Sequence, residues 1–155
     1  MAPTGIRRSE DELIKYVRTF LGDTPEENKL VADKELSDDK IRLALQMTVD
    51  SYNNTPPYEA VNYVSFPSLT LMIHGAVIQC LIMAGILQSR NYLQFNDGGI
   101  SEVVSDKAAA YQSWIGNIIG AYREEMMNIK VSLNMERNFG VIPSPYGNVF
   151  DFDIT

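Results

Sequence analysis

Residues 69–87 read Leu69-Thr70-Leu71-Met72-Ile73-His74-Gly75-Ala76-Val77-Ile78-Gln79-Cys80-Leu81-Ile82-Met83-Ala84-Gly85-Ile86-Leu87. No proline falls between Ser68 and Tyr92, so the run predicts one long helix. Its apolar residues leave no polar face. Such a helix is a central bundle element, an element shared between subunits, or a membrane span. His74 and Gln79 inside the run, and the lack of basic residues flanking one side, favour the core or interface reading over the membrane. The surrounding helices are amphipathic, which favours it too. Gly75, Ala76, Ala84 and Gly85 permit close helix approach, and Pro67 suits the first turn.

Toward the N-terminus, Ser37-Asp38-Asp39 opens another helix, and Asn53-Asn54-Thr55-Pro56-Pro57 ends it. Paired prolines cannot continue a helix. Ile41, Ala44, Leu45, Thr48, Val49 and Tyr52 make its apolar face. Ser9-Glu10-Asp11-Glu12 is a capping box, with acids suited to the helix dipole. Leu13, Ile14, Val17, Phe20 and Leu21 follow at helical spacing, and Gly22 stops this first helix. Residues 23–36 read as a loop with one helical turn around Glu27–Ala32. Residues 58–66 admit either a short extended piece or a packed loop.

Toward the C-terminus, Asn96-Asp97-Gly98-Gly99 is a turn signal, and Leu93–Phe95 with Ile100–Val104 could flank it as a small hairpin. Ser105-Asp106 caps a fourth helix that continues to about Asn138, roughly 50 Å at 1.5 Å per residue. Tyr111, Ile115, Ile118, Tyr122, Met126, Ile129 and Leu133 form a heptad-like packing stripe along it. Gly116 and Gly120 weaken it locally or admit another backbone, and Gly140 is the expected C-cap. The tail, residues 141–155, carries Pro143 and Pro145 and then alternates Phe150, Phe152 and Ile154 with Asp151, Asp153 and Thr155. That is the pattern of an extended segment, and one with this many apolar anchors is expected to dock on a partner.

The fold class expected is therefore mainly α: a helical bundle with long central and C-terminal helices, a small hairpin or loop near 93–104, and an extended C-terminal arm. Residues 1–8 form an N-terminal arm, 9–140 the bundle domain, and 141–155 the C-terminal arm. Partner-binding residues expected on the arm are Phe139, Val141, Ile142, Tyr146, Val149, Phe150, Phe152 and Ile154. Subunit-interface candidates are Met72, Gly75, Ala76, Gln79, Trp114, Arg123 and Arg137. Arg90, Lys107, Arg123, Lys130 and Arg137 are scattered along two helices, where they suit salt bridges between subunits rather than a dense basic patch.

The 155 residues carry a formal net charge of −7 and a sequence pI near 4.6. That balance opposes phosphate-gripping nucleic-acid binding, which needs excess Lys and Arg, though an acidic surface suits DNA that must slide past without sticking. Cys80 is the one cysteine, so no intrachain disulfide is available, as in a reducing cytoplasm. No apolar signal segment opens the chain. His74 stands alone in the most apolar helix, where a buried histidine with a local hydrogen bond is the expected reading. One His and one Cys cannot make a zinc set, Gly98-Gly99 is not followed by Lys-Ser/Thr, and the acidic pairs read as caps or solvated faces. No catalytic constellation emerges, so the chain is expected to be non-enzymatic and without cofactor or metal.

A combination of segments carries a resemblance. The helix from Ser37-Asp38-Asp39-Lys40-Ile41-Arg42-Leu43-Ala44-Leu45 to Asp50-Ser51-Tyr52-Asn53-Asn54-Thr55-Pro56-Pro57 precedes the long apolar helix. Then come Arg90-Asn91-Tyr92-Leu93-Gln94-Phe95-Asn96-Asp97-Gly98-Gly99-Ile100-Ser101, Ser105-Asp106-Lys107, and a long helix with Tyr111 and Tyr122. Over residues 37–140 this resembles head-to-tail connector (neck adaptor) proteins of tailed bacteriophages. The resemblance implies a homo-oligomeric ring, dodecameric in such families, that docks below the portal protein and meets a further neck or tail protein. DNA would be passing cargo and no membrane would be involved. The expected location is the virion, assembled in the host bacterial cytoplasm. The alternative expectation is another virion structural protein, such as a tail completion or terminator protein or a capsid-associated factor; a membrane-inserted helical protein ranks below both.

Overall fold

A computed structural model describes residues 9–28, 33–90, 96–97, 100–101 and 107–139. Four helices dominate it: α1 (Glu10–Leu21), α2 (Asp38–Asn53), α3 (Leu69–Arg90) and α4 (Lys107–Phe139). Between α3 and α4, β1 (Asn96–Asp97) pairs antiparallel with β2 (Ile100–Ser101). The mainly helical bundle expected from the sequence is what forms. The described ladder pairs Asn96 with Ser101 and Asp97 with Ile100.

α1, α2 and α3 each begin where the sequence supplies an acceptor for free backbone N–H groups. Ser9 accepts from the Glu12 N–H at 3.2 Å, and the Glu12 carboxylate accepts from the Ser9 N–H at 3.0 Å. Gly22 ends α1 with φ 65°, the left-handed conformation that suits glycine. Ser37 caps α2. At α3 the cap is Ser68, whose hydroxyl accepts from the Leu71 N–H at 3.1 Å. Pro67 therefore precedes the cap instead of lying in the first turn. The caps expected at Ser105-Asp106 and Gly140 lie outside the described residues, as do most of the turn expected around Glu27–Ala32 and the flanks of the expected hairpin.

The core is centred on α3, which packs against α1, α2 and α4. Leu71, Met72, Ala76, Val77 and Cys80 from α3 meet Leu13 and Val17 from α1 and Ile41, Leu45 and Tyr52 from α2, all within 1% of full burial. On α4 the expected stripe from Tyr111 to Leu133 packs onto this core, with Tyr122 buried. The closest approach is at Gly75. A Cβ there would lie 2.3 Å from the Thr48 methyl and 2.9 Å from a Tyr122 ring carbon, so α2, α3 and α4 meet at a point only glycine can occupy.

One detail departs from the helical-face reading, and one open alternative is resolved. Phe20, expected on the apolar face of α1, is half exposed, and Arg18 is buried in its place. Residues 58–66 form a packed loop rather than a strand. Asn53 fixes it by donating to the Val61 carbonyl and accepting from the Val61 N–H, both at 3.0 Å. Phe66 is buried against Tyr52, with ring centroids 4.9 Å apart.

Candidate interaction surface

α3 and α4 run antiparallel, with Gly75 beside Tyr122 and Gly85 beside Tyr111. The Ser68 hydroxyl at the start of α3 donates to the Glu125 carboxylate at 2.6 Å. Residues 126–139 therefore extend past the beginning of α3, a projection of roughly 20 Å at 1.5 Å per residue. Among the described residues, the end of α2 and the 55–66 loop lie beneath that overhang.

Charge holds the overhang down. Lys130 is 1% exposed, and its ammonium donates to the Pro57 carbonyl at 2.9 Å. It also lies 3.8 Å from the centre of the Tyr52 ring and 3.7 Å from the Glu59 carboxylate. Arg137 pairs with the other oxygen of Glu59. Burial pulls Lys130 below the usual lysine range, and Glu59 opposes that pull. Burial likewise pushes the Tyr52 phenol upward, reinforced by the Glu59 charge. The Tyr52–Glu59 geometry falls short of a hydrogen bond, and the buried hydroxyl has no hydrogen-bond partner among the described residues.

The outward side of α4 is different. Met127, Val131 and Met135 are 52%, 51% and 57% exposed. At four-residue spacing they form a row on the side of the helix opposite Tyr122, Met126 and Ile129. Gly116 and Gly120 continue that side toward the N-terminus, and nothing lies within 4 Å of where their Cβ atoms would be. Exposed Arg123 and Glu124 separate the apolar ridge from that stretch of bare backbone. The 12-residue α1 and 16-residue α2 show smaller exposed pairs, Tyr16 with Phe20 and Leu43 with Met47.

The expected interface residues separate into two groups. Met72, Gly75 and Ala76 are consumed inside the subunit: Met72 and Ala76 are fully buried, and Gly75 is closed off by Thr48 and Tyr122. They are corrected to core positions, because no surface remains on them for a neighbour. Gln79 is half-buried, Trp114 is 55% exposed and Arg123 is exposed. Arg137 is exposed but engaged with Glu59 of its own chain. Lys130, expected among cations free for other subunits, is corrected to an internal ion pair for the same reason. The expected arm residues Val141, Ile142, Tyr146, Val149, Phe150, Phe152 and Ile154 lie outside the described residues, as does the side chain of Phe139. Sequence reading overlooked Met127, Val131 and Met135, although a second set of four-residue steps, out of phase with the core stripe, would have revealed them.

No arrangement typical of catalysis emerges among the described residues. A cavity of about 140 Å³ lies between α3, α4 and the loop before α2, bordered by Glu35, Cys80, Tyr111 and Trp114. The Tyr111 hydroxyl donates to Glu35 at 3.0 Å. Burial pushes the Cys80 thiol up to about 12, which keeps it protonated and a poor nucleophile. His74 sets its ring edgewise to Phe20, with centroids 5.6 Å apart, and its buried Nδ1 has no hydrogen-bond partner among the described residues. The local hydrogen bond expected for it is therefore not formed at that nitrogen. Among the described residues no three His, Cys, Asp or Glu side chains group to hold a metal. No family model, curated protein or solved structure matches the chain.

Proposed function

We propose that this chain is a structural virion protein that forms a ring in the neck of a tailed phage, joins the portal to the tail and lets DNA pass. The observation that carries the reading is the uncovered ridge of Met127, Val131 and Met135 on a helix that outruns its bundle. Contiguous exposed apolar surface of this kind marks a contact between macromolecules. The sequence after α4 alternates apolar Phe150, Phe152 and Ile154 with polar residues, a pattern suited to binding a partner. The segments resembling neck adaptors supply the kind of assembly, and the net charge of −7 suits a passage that DNA crosses without adhering. In this reading the partners are further copies of the chain, the portal protein and another neck or tail protein. The chain acts in the virion after assembly in the host cytoplasm, and it performs no catalysis.

Native mass measurement and particle imaging of the purified chain test the reading. Closed rings, twelve-fold by the adaptor resemblance, are the expected result, and a chain that stays monomeric at every concentration overturns it. A six-fold ring would point instead to a tail terminator. Removing residues 141–155 is expected to leave a folded chain that no longer binds its portal. The membrane alternative draws on Leu69–Leu87, which is long and apolar enough to cross a bilayer, with a mean hydropathy of 2.0 and half of that window buried. Packing of this helix against all three others supports its use as core, and stable dispersal in detergent-free buffer is the outcome that reading requires.

A further inference from the structure

We propose that the cavity between α3, α4 and the loop before α2 binds a small primary amine whose apolar body is the size of a single six-membered ring, with its ammonium at Glu35 and its body against Trp114. The site does not depend on how subunits assemble.

Short side chains make the space. Cys80 and Ala84 stand one turn apart on α3, and both line the cavity. Leu21 at the end of α1 and Leu36 before α2 close it from the other side. Leu36, Cys80, Leu81 and Ala84 are each no more than 7% exposed, whereas Trp114 is 55% exposed. The cavity therefore has a buried apolar floor and an aromatic rim that water reaches. Its volume is about 140 Å³. An apolar cavity of about 150 Å³ accepts one benzene ring, so the guest is limited to one ring with a short substituent. Mostly apolar walls with a few polar groups are the usual make-up of a small-molecule site.

The charged part of the lining is acidic. Asp23 and Glu35 both border the cavity, and among the described residues no lysine or arginine does. Asp23 is committed to Arg18 and to the N–H groups of Glu35 and Leu36. Glu35 accepts from the Tyr111 hydroxyl at 3.0 Å. A carboxylate offers about four acceptor positions, so Glu35 can take an ammonium proton as well. Two walls register the negative charge. Burial, then the Glu35 charge, raises the Tyr111 phenol. Burial, then the Asp23 charge, raises the Cys80 thiol. Low-dielectric walls focus such a field, which draws in a cation and repels an anion. The indole face of Trp114 attracts an ammonium in its own right.

Trp114 is the one tryptophan of the chain, so its fluorescence reports on the cavity. The test titrates the full chain at neutral pH with benzylamine, benzyl alcohol and phenylacetate, which share a ring and differ in charge. The expected result is a saturable change with benzylamine, about tenfold weaker binding of benzyl alcohol, as for the loss of one hydrogen bond to a charged group, and no binding of phenylacetate. Ala84→Leu fills the cavity and is expected to abolish the benzylamine response while helical circular dichroism is unchanged. Glu35→Gln keeps an acceptor for Tyr111 and is expected to remove the preference for the amine over the alcohol. No saturable response in the parent chain overturns the site. Benzylamine binding that survives in folded Ala84→Leu overturns its location. Phenylacetate binding as strong as that of benzylamine overturns the ligand class. Should Ala84→Leu not fold, an undiminished amine preference in Glu35→Gln overturns the proposal by itself.

Discussion

Arg18 and Asp23 form a buried ion pair at 2.7 Å across the end of α1, with side chains 9% and 7% exposed. The same guanidinium donates to the Leu36 carbonyl at 2.7 Å and to Asp38 at the start of α2. Asp23 in turn accepts from the Glu35 N–H at 2.6 Å and the Leu36 N–H at 3.1 Å. One charge pair thus ties the end of α1 to the strap before α2 and satisfies its backbone. Losing Asp23 leaves Arg18 paired with Asp38 alone and takes one acceptor from the Glu35 and Leu36 N–H groups, where an unsatisfied buried donor costs about 1–3 kcal/mol. Asp23→Asn is expected to lose about that much, read as a lower denaturant midpoint. A midpoint within 0.5 kcal/mol of the parent, on the scale of an ordinary surface substitution, would contradict it.

Glycines on α3 and α4 should respond with opposite signs. At Gly75 an added methyl collides with Thr48 and Tyr122, and overpacking a close-packed core costs about 1–3 kcal/mol. Gly75→Ala is therefore expected to destabilise the chain despite alanine's better helix propensity. At Gly120 there is open space, so Gly120→Ala is expected to stabilise the isolated subunit by up to about 1 kcal/mol. Thermal melts of the two variants check the contrast. Two shifts of the same sign would mean that the helices do not meet at Gly75.

Much of this architecture is legible locally. The capping box at Ser9, the stop at Gly22, the break at Pro56-Pro57 and the stripe from Tyr111 to Leu133 all depend on neighbours within a turn or two, and all appear in the structure. The substitution of Arg18 for Phe20 in the core is not legible that way, because the groups that make a buried guanidinium acceptable come from Asp23, Leu36 and Asp38. Met127, Val131 and Met135 were obscured for another reason. Their spacing is that of a core stripe, and only the position of α3 decides which stripe on α4 faces inward. Gly75 was readable as a site of close approach, but not that the approaching groups belong to the same chain.

Alkaline pH should loosen the bundle. Burial, then the Glu35 charge, pushes the Tyr111 phenol up to about 12, and burial pushes Tyr122 upward as well. Each folded value lies above the unfolded value of about 10. The folded state then binds more protons, so this stability is fully present below about pH 10 and is lost as pH rises toward 12. Lys130 acts in the opposite direction, since its folded value is lowered. Several tyrosines against one lysine favour net loss. Stability is expected to fall between pH 10 and about 12, with a shallower fall for Tyr111→Phe. An unchanged slope in that variant would remove Tyr111 from the account.

Glu59 offers the sharpest test of how the α4 overhang is held. It is 9% exposed and pairs with both Lys130 and Arg137. Glu59→Gln keeps the shape but leaves the Lys130 ammonium buried without its counter-charge, expected to cost about 3 kcal/mol or more. The loss should be local first, appearing as faster amide exchange over residues 126–139 than over α3. Adding Lys130→Met removes the stranded charge and fills the same space with an apolar chain over the Tyr52 ring. Replacing a whole buried pair in this way is often neutral or better, so the double variant should be more stable than Glu59→Gln alone. If it is less stable, the packing of the lysine stem and the Pro57 hydrogen bond, not the ion pair, hold the overhang in place.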